Sequence, residues 1–373
     1  MKFSIQKNDL IKHIQHLYNI IPGKNAMLIL MNYIIEADED TGNLKFVASN
    51  LELTVISEFP AKIIEGGRIA VLAKKFNDII NSFSDGQINC FTKESKFHIS
   101  SRSSKFHLLM ADESVFPLIP PIKSEDLREF DALSYKKMIE NTAFASSTDF
   151  NKPIYTGVYW ELNPQNQIMA ATDGKKLSRV IYNNEMEIDE QMKFVVPSKT
   201  LQFIQKIIDE APVIKISLST TRLIFVYESY TVISNLINGK YPKYSRVIPE
   251  DSNNILIVDK EALLDVVRRT SLLANDVTSL IMLKVSSNEF MVSSEDEEEG
   301  DATEFITDYT YEGEEMLLPF NFRYLIAILN AIETEKVLIK IKKKKVPVLF
   351  FDYEKKPNNI DALYLLMPLT TRT

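Results

Sequence analysis

Residues 169–178 read MAATDGKKLS: small apolar residues, then Thr172-Asp173-Gly174, then two lysines. An apolar run that stops at Asp-Gly is a strand delivered into a tight turn, because aspartate bonds its own backbone and glycine accepts a positive φ. Such a turn serves a catalyst, or forms a surface bend that other molecules grip. Two other strand ends resemble it, VASN at 47–50 and VSSE at 292–295. Asn50, Asp173 and Glu295 stand 123 and 122 positions apart, close to a third of the 373 residues. A period of that length points to three copies of one unit.

Helical stripes repeat in the same order. In VLAKKFNDIINSF (71–83), Phe76, Ile79, Ile80 and Phe83 fall at i, i+3, i+4 and i+7, and Phe322, Leu325, Ile326 and Leu329 repeat this 246 positions later. The middle copy keeps Leu201, Ile204 and Ile208. Each third also opens with an extended segment feeding an amphipathic helix, at 3–21, 130–145 and 256–273. Prolines close the first two units, in FPLIPP (116–121) and YPKYSRVIP (241–249). Two helices and several short strands per copy predict an α+β fold of three repeated domains, at 1–122, 123–249 and 250–373.

Composition agrees with several cores, at 45% apolar and 10% aromatic residues. One cysteine, Cys90, permits no internal disulfide, and the charged N-terminal stretch does not read as a signal peptide. These features predict a reducing, cytoplasmic setting, and no run approaches a membrane span of about 20 apolar residues. The net charge of −8 argues against a surface that is basic all round. Charge is unevenly distributed, however. Helical segments carry Lys74 and Lys75, Lys136 and Lys137, Lys199 and Lys206, Arg268 and Arg269, while acids gather at 36–40, 189–190 and 294–304. On the first helix Leu10, Ile14, Leu17 and Tyr18 share one face, opposite an acid-free face of Asn8, Lys12, Gln15 and Asn19. Each such face suits solvent as well as a ligand; repeated three times, they suggest one shared basic surface.

Catalytic signatures are missing from the sequence. It contains no GxxxxGK[ST], no HExxH and no paired-cysteine metal site, and the acid run lacks the alternating spacing of a calcium loop. His13 and His16 share one turn with no further ligands in view. No cofactor and no metal are expected.

ATDGKKL (171–177), YPKYSRVIP (241–249), RRTSLLAND (268–276), the start MKF and the end YLLMPLTTRT (364–373) together resemble the bacterial DNA polymerase III β subunits, the replicative sliding clamps. The resemblance implies three domains of one fold per chain, and two chains joined head to tail in a six-domain ring. Helices would line the hole, sheets would form the outside, and double-stranded DNA would thread the centre without sequence readout. A closed ring holds DNA by topology, so a modestly basic lining suffices where nonspecific binding has a Kd of about 10⁻⁴ to 10⁻⁶ M.

By the same resemblance, Tyr155, Thr172, Gly174, Lys175, Lys176, Leu177, Pro242, Arg246, Val247, Leu365, Met367, Pro368 and Leu369 form a partner-peptide pocket. Its partners would be the DNA polymerase III catalytic subunit, the clamp loader, and other polymerases and repair proteins bearing Gln-Leu-x-Leu-Phe-type motifs. Lys24, Lys74, Lys152 and Lys199 would contact DNA. Phe106 and Leu108, with Leu272 and Leu273, would meet at the homodimer interface, aided by charge pairs from Glu298–Glu304. The chain departs from the family pattern at Lys175 and Lys176, where histidine or arginine is usual, at Asp149 and Pro153, and in its longer tail. Without the resemblance, Leu365, Met367 and Leu369 read as an ordinary last strand filling a core. The competing reading is a monomeric peptide-binding scaffold of the same fold that never encircles DNA.

Overall fold

The computed structural model describes all residues except 24–26, 120–126, 186, 187, 189, 190, 355–358 and 371–373. Six α-helices occur among the described residues, two in each third: α1 (Lys7–Ile14), α2 (Ala73–Ser82), α3 (Ala132–Ala143), α4 (Ser198–Ile207), α5 (Lys260–Thr270) and α6 (Phe322–Ala331). Helices this short are marginal alone in water and persist because one face is buried. In α2 that face is Ala73, Phe76 and Ile80, with Phe76 packed against Tyr33, Phe46 and Phe97. Side-chain caps fix two helix starts: Asp259 accepts from the Ala262 N–H, and Asn321 from the N–H groups of Arg323 and Tyr324.

Two helical stripes differ from the sequence reading. In α6 the fully buried residues are Leu325, Ile328 and Leu329, while Phe322 and Ile326 are half-buried and pack against the same core, so the stripe is wider than the sequence pattern and includes Ile328. Helix α1 ends at Ile14 and continues as a 3₁₀ turn, Leu17–Ile20, which buries Leu17 and leaves Tyr18 exposed. The tighter turn of the 3₁₀ segment breaks the i, i+4 register that would have placed Tyr18 inside. Asp9 stands exposed in the first turn of α1, so that surface is not free of acid.

Among the described residues the strands form antiparallel sheets of thirteen, nine and four. They belong to two compact units: Met1–Leu133 with Phe203–Leu236, and Ser134–Gln202 with Ile237–Thr373. The thirteen-stranded sheet lies in the first unit, and the other two lie in the second. The middle third of the chain is divided between the units because its strands extend sheets begun elsewhere. Tyr230–Asn235 pairs with Leu53–Pro60, and Lys176–Asn183 pairs with Ile360–Leu366. Contacts therefore follow the sheets and not the repeat. Valine, isoleucine and aromatic residues alternating along these strands suit a pleated surface buried on one side.

The repeat itself is visible in one detail. Asn50 Oδ1 accepts the N–H groups of Glu52 and Leu53, Asp173 Oδ1 those of Lys175 and Lys176, and Asp296 Oδ1 those of Glu298 and Glu299. The third member is Asp296, one residue beyond Glu295, and the spacing becomes 123 positions both times. Glutamate is one methylene too long for this turn, in which a short side chain bonds the backbone two and three residues on.

Candidate functional site

Strands Asn166–Thr172 and Lys176–Asn183 form a hairpin whose turn is Asp173-Gly174-Lys175. Both carboxylate oxygens of Asp173 are occupied. Oδ1 accepts the N–H of Lys175 at 2.8 Å and of Lys176 at 2.9 Å, while Oδ2 lies 2.6 Å from Lys176 Nζ. Thr172 Oγ1 donates to the Lys176 carbonyl and accepts from the Gly174 N–H. Gly174 has φ +89°, and a Cβ there would meet nothing within 4 Å, so backbone conformation alone calls for glycine. Lys176 is buried, its ammonium 4.4 Å from the centre of the Tyr324 ring. Lys175 points out into solvent. The two neighbouring lysines therefore differ: one is a structural strut and the other a free cation at the rim.

Beside this turn lies an open cavity of about 140 Å³, lined by Tyr155, Thr172, Gly174, Lys175, Lys176, Leu177, Pro242, Lys243, Tyr244, Val247, Leu365 and Met367. Its floor is a small apolar cluster, in which Leu177, Leu349, Leu363 and Leu365 are buried and Tyr244 and Met367 pack against them. Leu177 and Leu365 are direct cross-strand partners, and Met367 is held by its N–H to the Lys175 carbonyl. Tyrosines build one wall. Tyr241 accepts the Thr172 N–H and stacks on Tyr159, which in turn contacts Tyr244. Burial pushes the Tyr241 phenol up, so it stays protonated.

Ten of the thirteen expected pocket residues meet at this cavity. Arg246, Pro368 and Leu369 are not in its lining: Arg246 is exposed, and the Leu369 N–H is tied to the Pro319 carbonyl. Lys243 and Tyr244 line it and were not anticipated. Tyr244 is drawn in because its N–H bonds the Pro242 carbonyl and begins the 3₁₀ turn Tyr244–Val247. A proline followed two residues later by an aromatic was the available signal.

Strand Ser104–Ala111 pairs with Lys96–Ser101 on one side. On the other, among the described residues, it pairs only with Ala70 and Val71, through Ala111 and Met110, which leaves the stretch before Met110 as an edge. Phe106 is 40% exposed on that strand, resting on Phe83, and Leu108 is half-buried. In the other unit, strand Gly300–Phe305 pairs, among the described residues, only with Phe290–Asp296. Near it Arg269 grips Glu304 bidentately, at 2.8 and 2.6 Å, which holds Glu304 within its own chain. Leu272 is 77% exposed and Leu273 half-buried.

Models of the N-terminal, central and C-terminal domains of the DNA polymerase III β subunit match residues 1–120, 129–243 and 245–370 in turn. The chain belongs to the DNA polymerase III β subunit family. The β sliding clamp of Bacillus subtilis is 26% identical over the full length of both chains. The crystal structure of the DNA polymerase sliding clamp from that species superposes with a TM-score of 0.91 at 25% identity, covering all of both chains. A sliding clamp from Bartonella birtlesii, crystallised bound to griselimycin, gives 0.92 at 26% identity and the same coverage. As a sliding clamp the protein serves DNA replication as a non-catalytic processivity factor.

Other sequence-derived sites of the clamp are scattered. Lys74, Lys152 and Lys199 are all exposed, and Lys199 lies 4.9 Å from the Phe150 ring. Lys24 falls outside the described residues. Not every basic helical residue is free: Lys137 pairs with Glu333 and Arg269 with Glu304. His13 stacks on Phe59 at 4.0 Å with Nδ1 3.2 Å from Ser229 Oγ, while His16 meets the edge of Tyr230. Burial lowers the pKa of both, which favours neutral aromatic packing. Among the described residues no group of three metal-ligating side chains converges, and no helix is long and apolar enough to cross a membrane.

Proposed function

We propose that the cavity beside Thr172–Leu177 docks linear peptide segments from replication and repair proteins, and that two chains close head to tail around duplex DNA. The carrying observation is that ten residues from segments as far apart as Tyr155 and Met367 share one apolar-floored, lysine-rimmed cavity. Leucine and methionine suit related peptides because they repack at low cost. That a relative of this fold is known bound to griselimycin supports a ligand site on the scaffold. The occupants are the DNA polymerase III catalytic subunit, the clamp loader and other partners with Gln-Leu-x-Leu-Phe-type segments. Titration of such a fluorescent peptide tests the reading. Met367→Arg, which places a charge on the apolar floor, should weaken binding at least about tenfold, the cost of an unpaired buried charge. Unchanged affinity would remove the pocket from this cavity.

The ring reading rests on the two open edges, Ser104–Leu109 and Gly300–Phe305, with Leu109 73% and Phe305 59% exposed. Unpaired strand edges invite association, and pairing one with the other in a second copy covers both. Light scattering should give twice the chain mass, and His107→Pro, which removes an edge N–H donor, should give the single mass. A single mass for the unaltered protein would favour the monomeric scaffold. Lys74, Lys152 and Lys199 are proposed as nonspecific phosphate contacts, the chain as a cytoplasmic protein, and 1–122, 123–249 and 250–373 as its domains, a division that the three family matches support.

A further inference from the structure

The sequence run Lys342-Lys343-Lys344-Lys345 joins strand Lys336–Ile341 to strand Val348–Asp352. Neither the ring nor the peptide pocket accounts for it. Its place in the sheet follows from register. Lys176 pairs with Leu366 and Leu366 with Val348, so this hairpin leaves the same end of the nine-stranded sheet as the Asp173-Gly174 turn. One residue further in, the cross-strand row runs Leu177, Leu365, Leu349, Lys340. Residues directly opposite one another share a face, so Lys340 lies on the face that floors the cavity. Lys342 follows the last strand residue, Ile341, and opens the hairpin loop at that end.

At about 4.8 Å per strand, Lys340 stands roughly 10 Å from Leu365. The apolar floor thus gives way to a basic ledge two strands on. Among the described residues none of Lys342–Lys345 forms an ion pair, and Lys343, Lys344 and Lys345 are exposed. Lys340 rests over the Phe351 ring at 5.3 Å. The next acid along the row, Glu312, lies beyond Ile255 and is not paired with Lys340. On the opposite side of the cavity the rim again carries cations, the exposed Lys175 and Lys243. Asp173, in the turn beside the cavity, is committed to Lys176.

We infer that Lys340 and Lys342–Lys345 form an accessory ledge of the docking site that takes the carboxylates of an acidic stretch flanking the docked peptide. This rests on the cavity being the peptide site. Nucleic acid phosphate would also suit lysines, but the placement of Lys340 on the face of the cavity floor, with the loop lysines at the same end of the sheet, favours an occupant already held there. A gap of about 10 Å is about three extended residues, so the acids belong three to five residues beyond the apolar side chain that fills the cavity.

Fluorescent peptides carrying the Gln-Leu-x-Leu-Phe pattern test this, extended at either end by three serines or three aspartates and titrated at low salt against the full chain and K343E/K344E. The aspartate extension at one end should tighten binding about three- to tenfold, as expected for two or three exposed pairs, and the gain should fade as salt rises. In K343E/K344E the gain should vanish or reverse, with the serine peptide binding as before. Serine and aspartate peptides binding alike to the unaltered chain would overturn the ledge and leave the pocket standing. Neither peptide binding would overturn both. If the substitutions instead weaken retention on duplex DNA and leave the aspartate gain intact, the hairpin is a phosphate contact and the inference is wrong.

Discussion

Two lysine-bearing turns leave the same end of one sheet, Thr172–Lys176 and Lys342–Lys345, and they use their lysines in opposite ways. In the first, Asp173 accepts two backbone donors and the Lys176 ammonium, with side-chain exposures of only 12% and 8%, and Lys176 also covers Tyr324. In the second, three consecutive lysines stand in water with no ion pair among the described residues. The first turn is a fixed wall, and the second is a charge awaiting a partner. Adjacency in sequence says little about this, since Lys175, next to Lys176, belongs with the free group. What separates the groups is whether a neighbouring strand or helix supplies an acid or a ring at the right depth.

The comparison can be broken most decisively at Asp173. Asp173→Ala strands a buried ammonium and frees two N–H groups, and should lower the unfolding free energy by about 3 kcal/mol in urea titrations. Lys176→Met should cost less, because Asp173 keeps its backbone donors and the thioether fills the same space. If both substitutions are neutral, the turn is not the fixed wall described. A middle-sized effect is expected at Gly174. There Ala should cost about 1 kcal/mol through its positive φ alone, with Asn closer to glycine, as thermal melts would show. A loss well beyond that would mean a steric clash, which the open space around this residue contradicts. The smallest effect belongs to the second turn: K343E/K344E should leave stability within about 0.5 kcal/mol, as for solvated surface positions. A larger loss would reveal an internal partner and erase the contrast.

The α+β class, the threefold repeat and two helices per copy were legible because each copy shows a 3.6-residue stripe next to a strand ending in a turn former. Finer features were not. Asp296 rather than Glu295 carries the third turn, a difference of one methylene that strand spacing cannot detect. The α6 stripe was incomplete because Ile328, outside the i, i+3, i+4, i+7 pattern, is buried as well, which only packing reveals. At the cavity, Lys176 read as a pocket cation and Tyr244 did not read at all, since burial depth and a 3₁₀ turn are both consequences of neighbours.

By itself the sequence determined the repeated unit, the turn chemistry at Asn50 and Asp173, and the motifs that place the chain among sliding clamps. Each of these depends on residues near one another along the chain, where backbone bonding and side-chain period operate. Only the tertiary structure decided that Thr172, Val247 and Met367 share one cavity, that Asp173 is occupied by Lys176, and that the hairpin bearing the lysines at 342–345 leaves the sheet at the same end as the Asp173 turn. The reason is strand pairing. Lys176–Tyr182 lies against Ile360–Leu366, almost two hundred residues away, and cross-strand register converts that separation into a neighbour about 5 Å distant.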